Sequence, residues 1–163
     1  MTRVGLGFDL HPLAAHRTLV LGGVIIPSEV GLDGHSDADV LAHAVGEGLL
    51  GALALGDLGR HFPDSDPRWR GVSSLVLLGH VMELVRARGG RLVNVDATVL
   101  AQAPRLGPYL GEMAKRLADT LGVEVGSVNV KAKSPEGLGL VGRREGIAAM
   151  AVVAVEIAEP GAP

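Results

Sequence analysis

The run 147–155 places nine apolar residues in a row between Glu145 and Glu156. That is about half the length a membrane-spanning helix requires. The missing apolar–polar alternation predicts a strand buried on both faces. A sheet built on such a strand needs cover on each side. If helices cover one face, the simplest cover for the other is the sheet of a second subunit, so a homo-oligomer is expected.

That strand spans 147–157, and others are predicted at 3–8, running on into Asp-Leu-His-Pro, and at 92–99 and 127–133. Residues 18–26 form a strand or hairpin with Gly22-Gly23 as its turn and Pro27 as its stop. Helices are predicted from Ser36 to about Leu55, over 72–88 and over 108–121, each closed by glycine. Ser36 reads as the N-cap of the first, with Asp39 in the capping-box position. Loops cover 29–35, 56–71 and 134–146, and 56–71 is too long to be a mere connector. The order β, β, α, α, β, α, β, β lacks strict β-α-β alternation. It predicts an α+β fold: a mixed β-sheet with helices packed on one face. One domain is expected over 1–158, with a short tail at 159–163.

Composition removes several function classes. A net charge of −3 and four aromatic residues argue against a nucleic-acid binder. The absence of cysteine excludes disulfides, thiolate metal sites and cysteine nucleophiles. The N-terminal stretch lacks a basic region followed by an apolar one, so no signal peptide and a cytoplasmic location are expected, with no membrane partner.

Four constellations carry chemistry. In an extended segment Asp9 and His11 point the same way, either as a carboxylate steering a surface imidazole or as two ligands of a metal. Asp39 and His43 share a helix face, either as a solvated pair or as part of a site. Combined with His43, Asp9 and His11 make a two-histidine, one-carboxylate set suited to catalytic Zn²⁺. Asp39 then stands behind a histidine or against substrate. Free N–H groups near Ser36 suit a phosphate as well as an ordinary cap. The loop 57–67 holds Asp57, Asp64 and Asp66, either as turn formers or as hydroxyl binders. The stretch 131–146 gathers Lys131, Lys133, Ser134, Glu136, Arg143 and many glycines. It is a charged hairpin, or a loop for a diphosphate with Glu136 on a divalent cation. His80 reads as a packing or surface residue, and His16 and His61 have no nameable partner.

In order, residues 7–11 (Gly-Phe-Asp-Leu-His), 21–27, 35–40 with His43, 56–59, 62–67, 94–96, 101–104 and 142–147 resemble the 2-C-methyl-D-erythritol 2,4-cyclodiphosphate synthase family. The likeness runs from residue 3 to about 157. It implies a homotrimer with active sites at subunit interfaces. The implied reaction turns 4-diphosphocytidyl-2-C-methyl-D-erythritol 2-phosphate, a cytidine diphosphate ester, into the cyclic diphosphate and CMP. Asp9, His11 and His43 are implied Zn²⁺ ligands, and Glu136 an implied ligand of Mg²⁺ or Mn²⁺ on the diphosphate. Asp9, His35, Lys133 and Ser134 are implied catalytic residues. His35 and Ser36 are implied phosphate contacts, with Asp39 and His11 also at the substrate. Asp57, Leu58, Gly59, Phe62, Asp64 and Asp66 are implied at the erythritol pocket and its loop. Ala101, Ala103, Pro104, Arg105 and Leu106 are implied around cytidine. Leu140 and Arg143 are implied at a cavity on the trimer axis that takes an isoprenoid diphosphate.

This chain departs from the family at several positions. Leu140 replaces a frequent aromatic, Arg105 a frequent lysine, and Lys133 and Ser134 frequent threonines. Lys133 adds a charge beside the diphosphate or reaches solvent. Two other classes remain. A trimeric sensor binds nucleotide without turnover. A metal-dependent phosphohydrolase makes linear products.

Overall fold

The computed structural model describes residues 1–158, and the tail expected at 159–163 lies outside them. The strands are β1 (Thr2–Ala15), β2 (Leu19–Leu21), β3 (Val24–Ile26), β4 (Val30–Leu32), β5 (Gly90–Leu100), β6 (Val128–Lys133) and β7 (Gly146–Ile157). The helices are α1 (Val40–Ala52), α2 (Leu58–His61), α3 (Ser74–Ala87), α4 (Leu110–Leu121) and α5 (Gly139–Gly142). Five strands form one mixed sheet in the order β4-β1-β7-β5-β6, antiparallel except for the parallel pair β5–β6. The expected α+β architecture with a mixed sheet is what forms.

The inner face of β1 sets the packing. Gly5, Gly7, Asp9 and His11 alternate onto one side, while Val4, Leu6 and Phe8 point the other way and are exposed. A Cβ on Gly5 would lie 1.9 Å from the Gly48 carbonyl oxygen, and one on Gly7 would lie 1.8 Å from that of Ala44. Helix α1 therefore rests on the strand backbone itself. Its small residues Ala44, Gly48 and Ala52 repeat every fourth position, so they form one stripe facing the strand. Most of the rest of α1 is buried too, as its largely apolar composition requires. The exceptions, His43, Glu47 and Gly51, are spaced by four and form one partly open stripe.

Strand β7 runs between β1 and β5. Its inner residues Ile147, Ala149, Ala151, Val153 and Val155 are buried, but Met150 and Val152 are 41% and 44% exposed. Burial on both faces is thus not reached within one chain. Phe8 pairs with Met150 and Leu6 with Val152, which makes the outer face a continuous open apolar surface.

Local corrections concern short elements and caps. The hairpin at 18–26 is a separate two-stranded sheet, turned at Gly22 and Gly23 with φ of 57° and 73°. The loop expected at 29–35 contains β4, which pairs with the end of β1. The loops at 56–71 and 134–146 contain α2 and α5. The N-cap of α1 is Asp39, not Ser36, because Asp39 Oδ1 accepts the N–H groups of Leu41 and Ala42. Its carboxylate also accepts the N–H groups of Gly22 (2.9 Å) and Gly23 (2.7 Å).

Gly7→Ala is expected to cost at least about 2 kcal/mol by overpacking the helix–strand seam. Gly79→Ala, in α3 with open space around it, should instead stabilise by about 0.5–1 kcal/mol. Urea midpoints of the two variants check both signs.

Candidate active site

The glycines that seat α1 on β1 are followed, on the same strand face, by Asp9 and His11. On α1, His43 directly precedes Ala44, whose carbonyl meets Gly7. Asp9 Oδ2 lies 3.1 Å from His11 Nε2 and 2.9 Å from His43 Nδ1, and the two ring nitrogens are 3.3 Å apart. Among the described residues these three form a group able to hold a metal ion. The triangle passes a geometric test. A tetrahedral ion with bonds of about 2.0–2.1 Å has ligand–ligand edges of about 3.3 Å. The observed edges come close to that length without rearrangement.

The electrostatics agree. Burial opposes the Asp9 charge, yet hydrogen bonds and charge from His11 and His43 hold its carboxyl well below the usual carboxylate range. Burial likewise opposes the charged form of His11, but Asp9 and the Asp33 carbonyl raise its pKa above the ordinary 6.5. His11 Nδ1 lies 2.9 Å from the Asp33 carbonyl oxygen. A bond donated there leaves Nε2 free to face the centre.

A cavity of about 290 Å³ opens over this triangle. His35, Ser36, Leu58, Gly59, Phe62 and Asp64 line it, as the sequence suggests, together with Glu47, Trp69 and Leu77. Buried His35 Nε2 has no protein partner. Phe62 meets Trp69 edge-on at 5.1 Å, and both rings lie near His80 of α3. That cluster fastens the 62–69 segment beside the cavity.

Other expected residues fall elsewhere. Asp39 is fully buried and spends both oxygens on backbone N–H groups, so it is neither a substrate contact nor a partner of a histidine. Asp57 caps α2 through the Arg60 N–H, and Asp66 pairs with Arg68; neither lines the cavity. A second cleft of about 520 Å³ lies where β5 and β6 end, lined by Ala101, Pro104, Arg105, Leu106, Lys133 and Ser134. Gly137 N–H donates to Gln102 Oε1 and ties the Glu136 loop to it. Glu136 and Ala103 line neither cavity, and Glu136 does not join the Asp9 group. Leu140 borders a third, shallower pocket with Leu10 and Pro12, while Arg143 pairs with Glu145 at 2.6 Å.

Sequence reasoning missed Glu47. It lies one helical turn beyond His43 and accepts the Leu58 N–H at 3.0 Å, which joins α1 to α2 at the cavity wall. Burial raises its pKa, with the nearby charges of Asp57 and Asp9 adding to the effect. The i, i+4 spacing from His43 was the available signal.

The fold and this site define a class: a mixed-sheet protein with an Asp-His-His group able to hold a metal ion at the base of a polar cavity. The YgbB family profile matches residues 2–156. The 2-C-methyl-D-erythritol 2,4-cyclodiphosphate synthase of Desulforamulus reducens is 56% identical over 154 residues, covering 94% of this chain and 98% of the relative. The enzyme of that name from Bordetella petrii is 58% identical over 150 residues, with 92% and 93% covered. A solved synthase structure in a CDP-bound form superposes with a TM-score of 0.87 at 39% identity, covering 94% of this chain and all of that one. The bifunctional IspDF of Campylobacter jejuni gives a TM-score of 0.93 at 39% identity over 97% of this chain, which spans only 43% of that longer protein. The chain belongs to the YgbB family, whose members include the 2-C-methyl-D-erythritol 2,4-cyclodiphosphate synthases.

Protons compete with a metal for the His11 lone pair. Because the His11 pKa is raised, apparent zinc affinity should still be climbing as pH passes 6.5. Asp9, ionised throughout, adds nothing to that slope. Zinc titrations from pH 5.5 to 8 read the effect, and an affinity already flat at pH 6.5 would contradict it.

Proposed function

We propose that this chain converts 4-diphosphocytidyl-2-C-methyl-D-erythritol 2-phosphate to 2-C-methyl-D-erythritol 2,4-cyclodiphosphate and CMP, a step of non-mevalonate isoprenoid biosynthesis. The observation that carries this reading is the Asp9-His11-His43 triangle at the base of a cavity that also holds His35 and Ser36. An oxygen of the substrate's own 2-phosphate forms a bond to the β-phosphorus. The bond from that phosphorus to the bridging oxygen breaks, and the oxygen leaves on CMP. Phosphorus–oxygen lyase describes this outcome. The attack is intramolecular, so the chain supplies no nucleophile. Its task is to position the reacting groups, for which effective molarities reach roughly 10⁵–10⁸ M.

Asp9, His11 and His43 would hold Zn²⁺, and Glu136 would hold Mg²⁺ or Mn²⁺. Such ions supply Lewis-acid neutralisation of phosphate charge. His35 and Ser36 bind phosphate oxygens. Leu58, Gly59 and Asp64 border the erythritol pocket, with Asp57 at its rim. Ala101, Ala103, Pro104, Arg105 and Leu106 take the cytidine. Lys133 and Ser134 face the leaving phosphate.

His35, Ser36, Leu58, Gly59 and Asp64 line one cavity, and Ala101, Pro104, Arg105, Leu106, Lys133 and Ser134 a separate one on the same chain. A homotrimer joins them, with the metal cavity of one protomer completed by the nucleotide cleft of its neighbour. The open apolar face of Val4, Leu6, Phe8 and Met150 supports that assembly. Leu140 and Arg143 then border an axial cavity for an isoprenoid diphosphate. The whole unit is one catalytic domain over 1–158. No helix among the described residues is long and apolar enough to cross a membrane.

Water would divert the reaction to linear products, and the Phe62–Trp69–His80 cluster holds a cover beside the cavity. Deleting the tip of the 62–71 loop is expected to raise hydrolysis relative to cyclisation, read from the product ratio. Phosphorus NMR of the purified chain with substrate, Mg²⁺ and Zn²⁺ tests the reaction itself. Two coupled cyclic diphosphate signals plus CMP, absent with His43→Ala, are expected. Linear phosphates would instead identify a metal-dependent hydrolase, and binding without turnover a nucleotide sensor.

A further inference from the structure

His43 reaches the metal triangle with Nδ1, so its other nitrogen, Nε2, must be held elsewhere. Two hydroxyls meet it: Ser74 Oγ at 2.8 Å and Ser36 Oγ at 3.2 Å. Ser74 is the first residue of α3 and is 1% exposed. Its hydroxyl donates to Asp37 Oδ1, and its backbone N–H donates to the same oxygen at 3.1 Å. Asp37 is anchored in turn by the Asp39 N–H at 3.3 Å and by its own N–H on the Val72 carbonyl at 3.0 Å.

A serine hydroxyl carries one hydrogen, and an ionised carboxylate only accepts. Asp37 therefore takes the hydrogen of Ser74. Ser74 Oγ is left able only to accept from His43, so the ring proton belongs on Nε2. With a metal ion bound, the Nδ1 lone pair would face the centre of the Asp9, His11 and His43 triangle; without one, Asp9 Oδ2, 2.9 Å from Nδ1, competes for the ring proton. Ser36 Oγ is 3.2 Å from Ser74 Oγ but has no carboxylate to direct its hydrogen. It is the weaker of the two partners.

We infer that Ser74 and Asp37 are positioning residues of the metal site, acting as a carboxylate–hydroxyl–imidazole line that fixes the tautomer and ring orientation of His43. The inference rests on the metal-binding reading given above. Asp37 and Ser74 are far apart in sequence, so helical or strand spacing does not connect them. Only the docking of α3 beside the start of α1 does. The line also gives Ser74 a reason to be buried: a hydroxyl with a donor on one side and an acceptor on the other is satisfied without water.

Partners of this kind typically change metal affinity by about 10–100-fold when removed. Ser74→Ala keeps the backbone N–H bond to Asp37 and removes only the hydroxyl. Asp37→Asn keeps the serine and weakens its director. Zinc affinity of the full chain, measured by competition with a chromophoric chelator, should fall about 10–100-fold in Ser74→Ala and in the same direction in Asp37→Asn. In the zinc-loaded parent, the His43 Nε2–H should give a downfield, exchange-protected signal in ¹H–¹⁵N spectra. In Ser74→Ala that signal should move upfield and lose its protection, a change that a merely destabilised fold would not produce. If Ser74→Ala does not fold, Asp37→Asn decides by the same two readings. Parental affinity together with an unmoved imidazole signal would overturn the inference while leaving the metal site intact. A parent chain that binds no zinc would overturn the metal reading first, and the inference with it.

Discussion

The backbone-to-backbone contact of α1 with β1 is the constraint on which the site depends. Gly5 and Gly7 face Ala44 and Gly48 at distances that leave no room for a Cβ. That contact fixes the height of the helix above the strand. Two and four residues beyond Gly7, the same strand face presents Asp9 and His11. The helix residue next to Ala44 is His43. Three ligand atoms within 3.3 Å of one another are thus a consequence of close packing, not of a flexible loop closing on an ion. An ångström of added separation at the seam would pass directly to the triangle, and a site that needs ordered ligand edges tolerates little of that.

A second anchor holds the cavity wall. The Asp39 carboxylate is fully buried and accepts N–H groups from both the β2–β3 turn and the first turn of α1. A buried carboxylate is costly unless its oxygens are bonded, and here each is. The segment leading into this anchor is thereby fixed at its far end, while its near end follows β4. His35, Ser36 and Asp37 lie on that segment. It supplies the cavity with an unpartnered imidazole nitrogen and a hydroxyl, and sets behind them the carboxylate that accepts from Ser74. The structural work of Asp39 and the chemical work of its neighbours are separate, although one motif contains both.

Legibility in the sequence follows the same division. The i, i+2 geometry of Asp9 and His11 needs only an extended backbone, and the helical position of His43 needs only a helix. Those residues could be read as one ligand set before any coordinates. The choice of cap could not, because Ser36 and Asp39 both suit the role locally. Tertiary bonds to Gly22 and Gly23 select Asp39. Strand β4 is three residues long and is defined by pairing with β1, so no periodicity reveals it. The mixed sheet with its helical layer was legible from element order. The half-exposed state of β7 was not, since an apolar run looks the same whether its outer face meets the same chain or another. Ser74 and Glu47 escaped notice because their partners come from other elements.

Close packing thus prebuilds a group, Asp9, His11 and His43, able to hold a metal ion. Anomalous diffraction at the zinc edge, from crystals of the chain grown with zinc, tests it most directly. A strong peak bonded to Asp9, His11 and His43 is expected, with those side chains little moved from their present arrangement. No peak at that triangle, or zinc bound there only after α1 has shifted on β1, would contradict it.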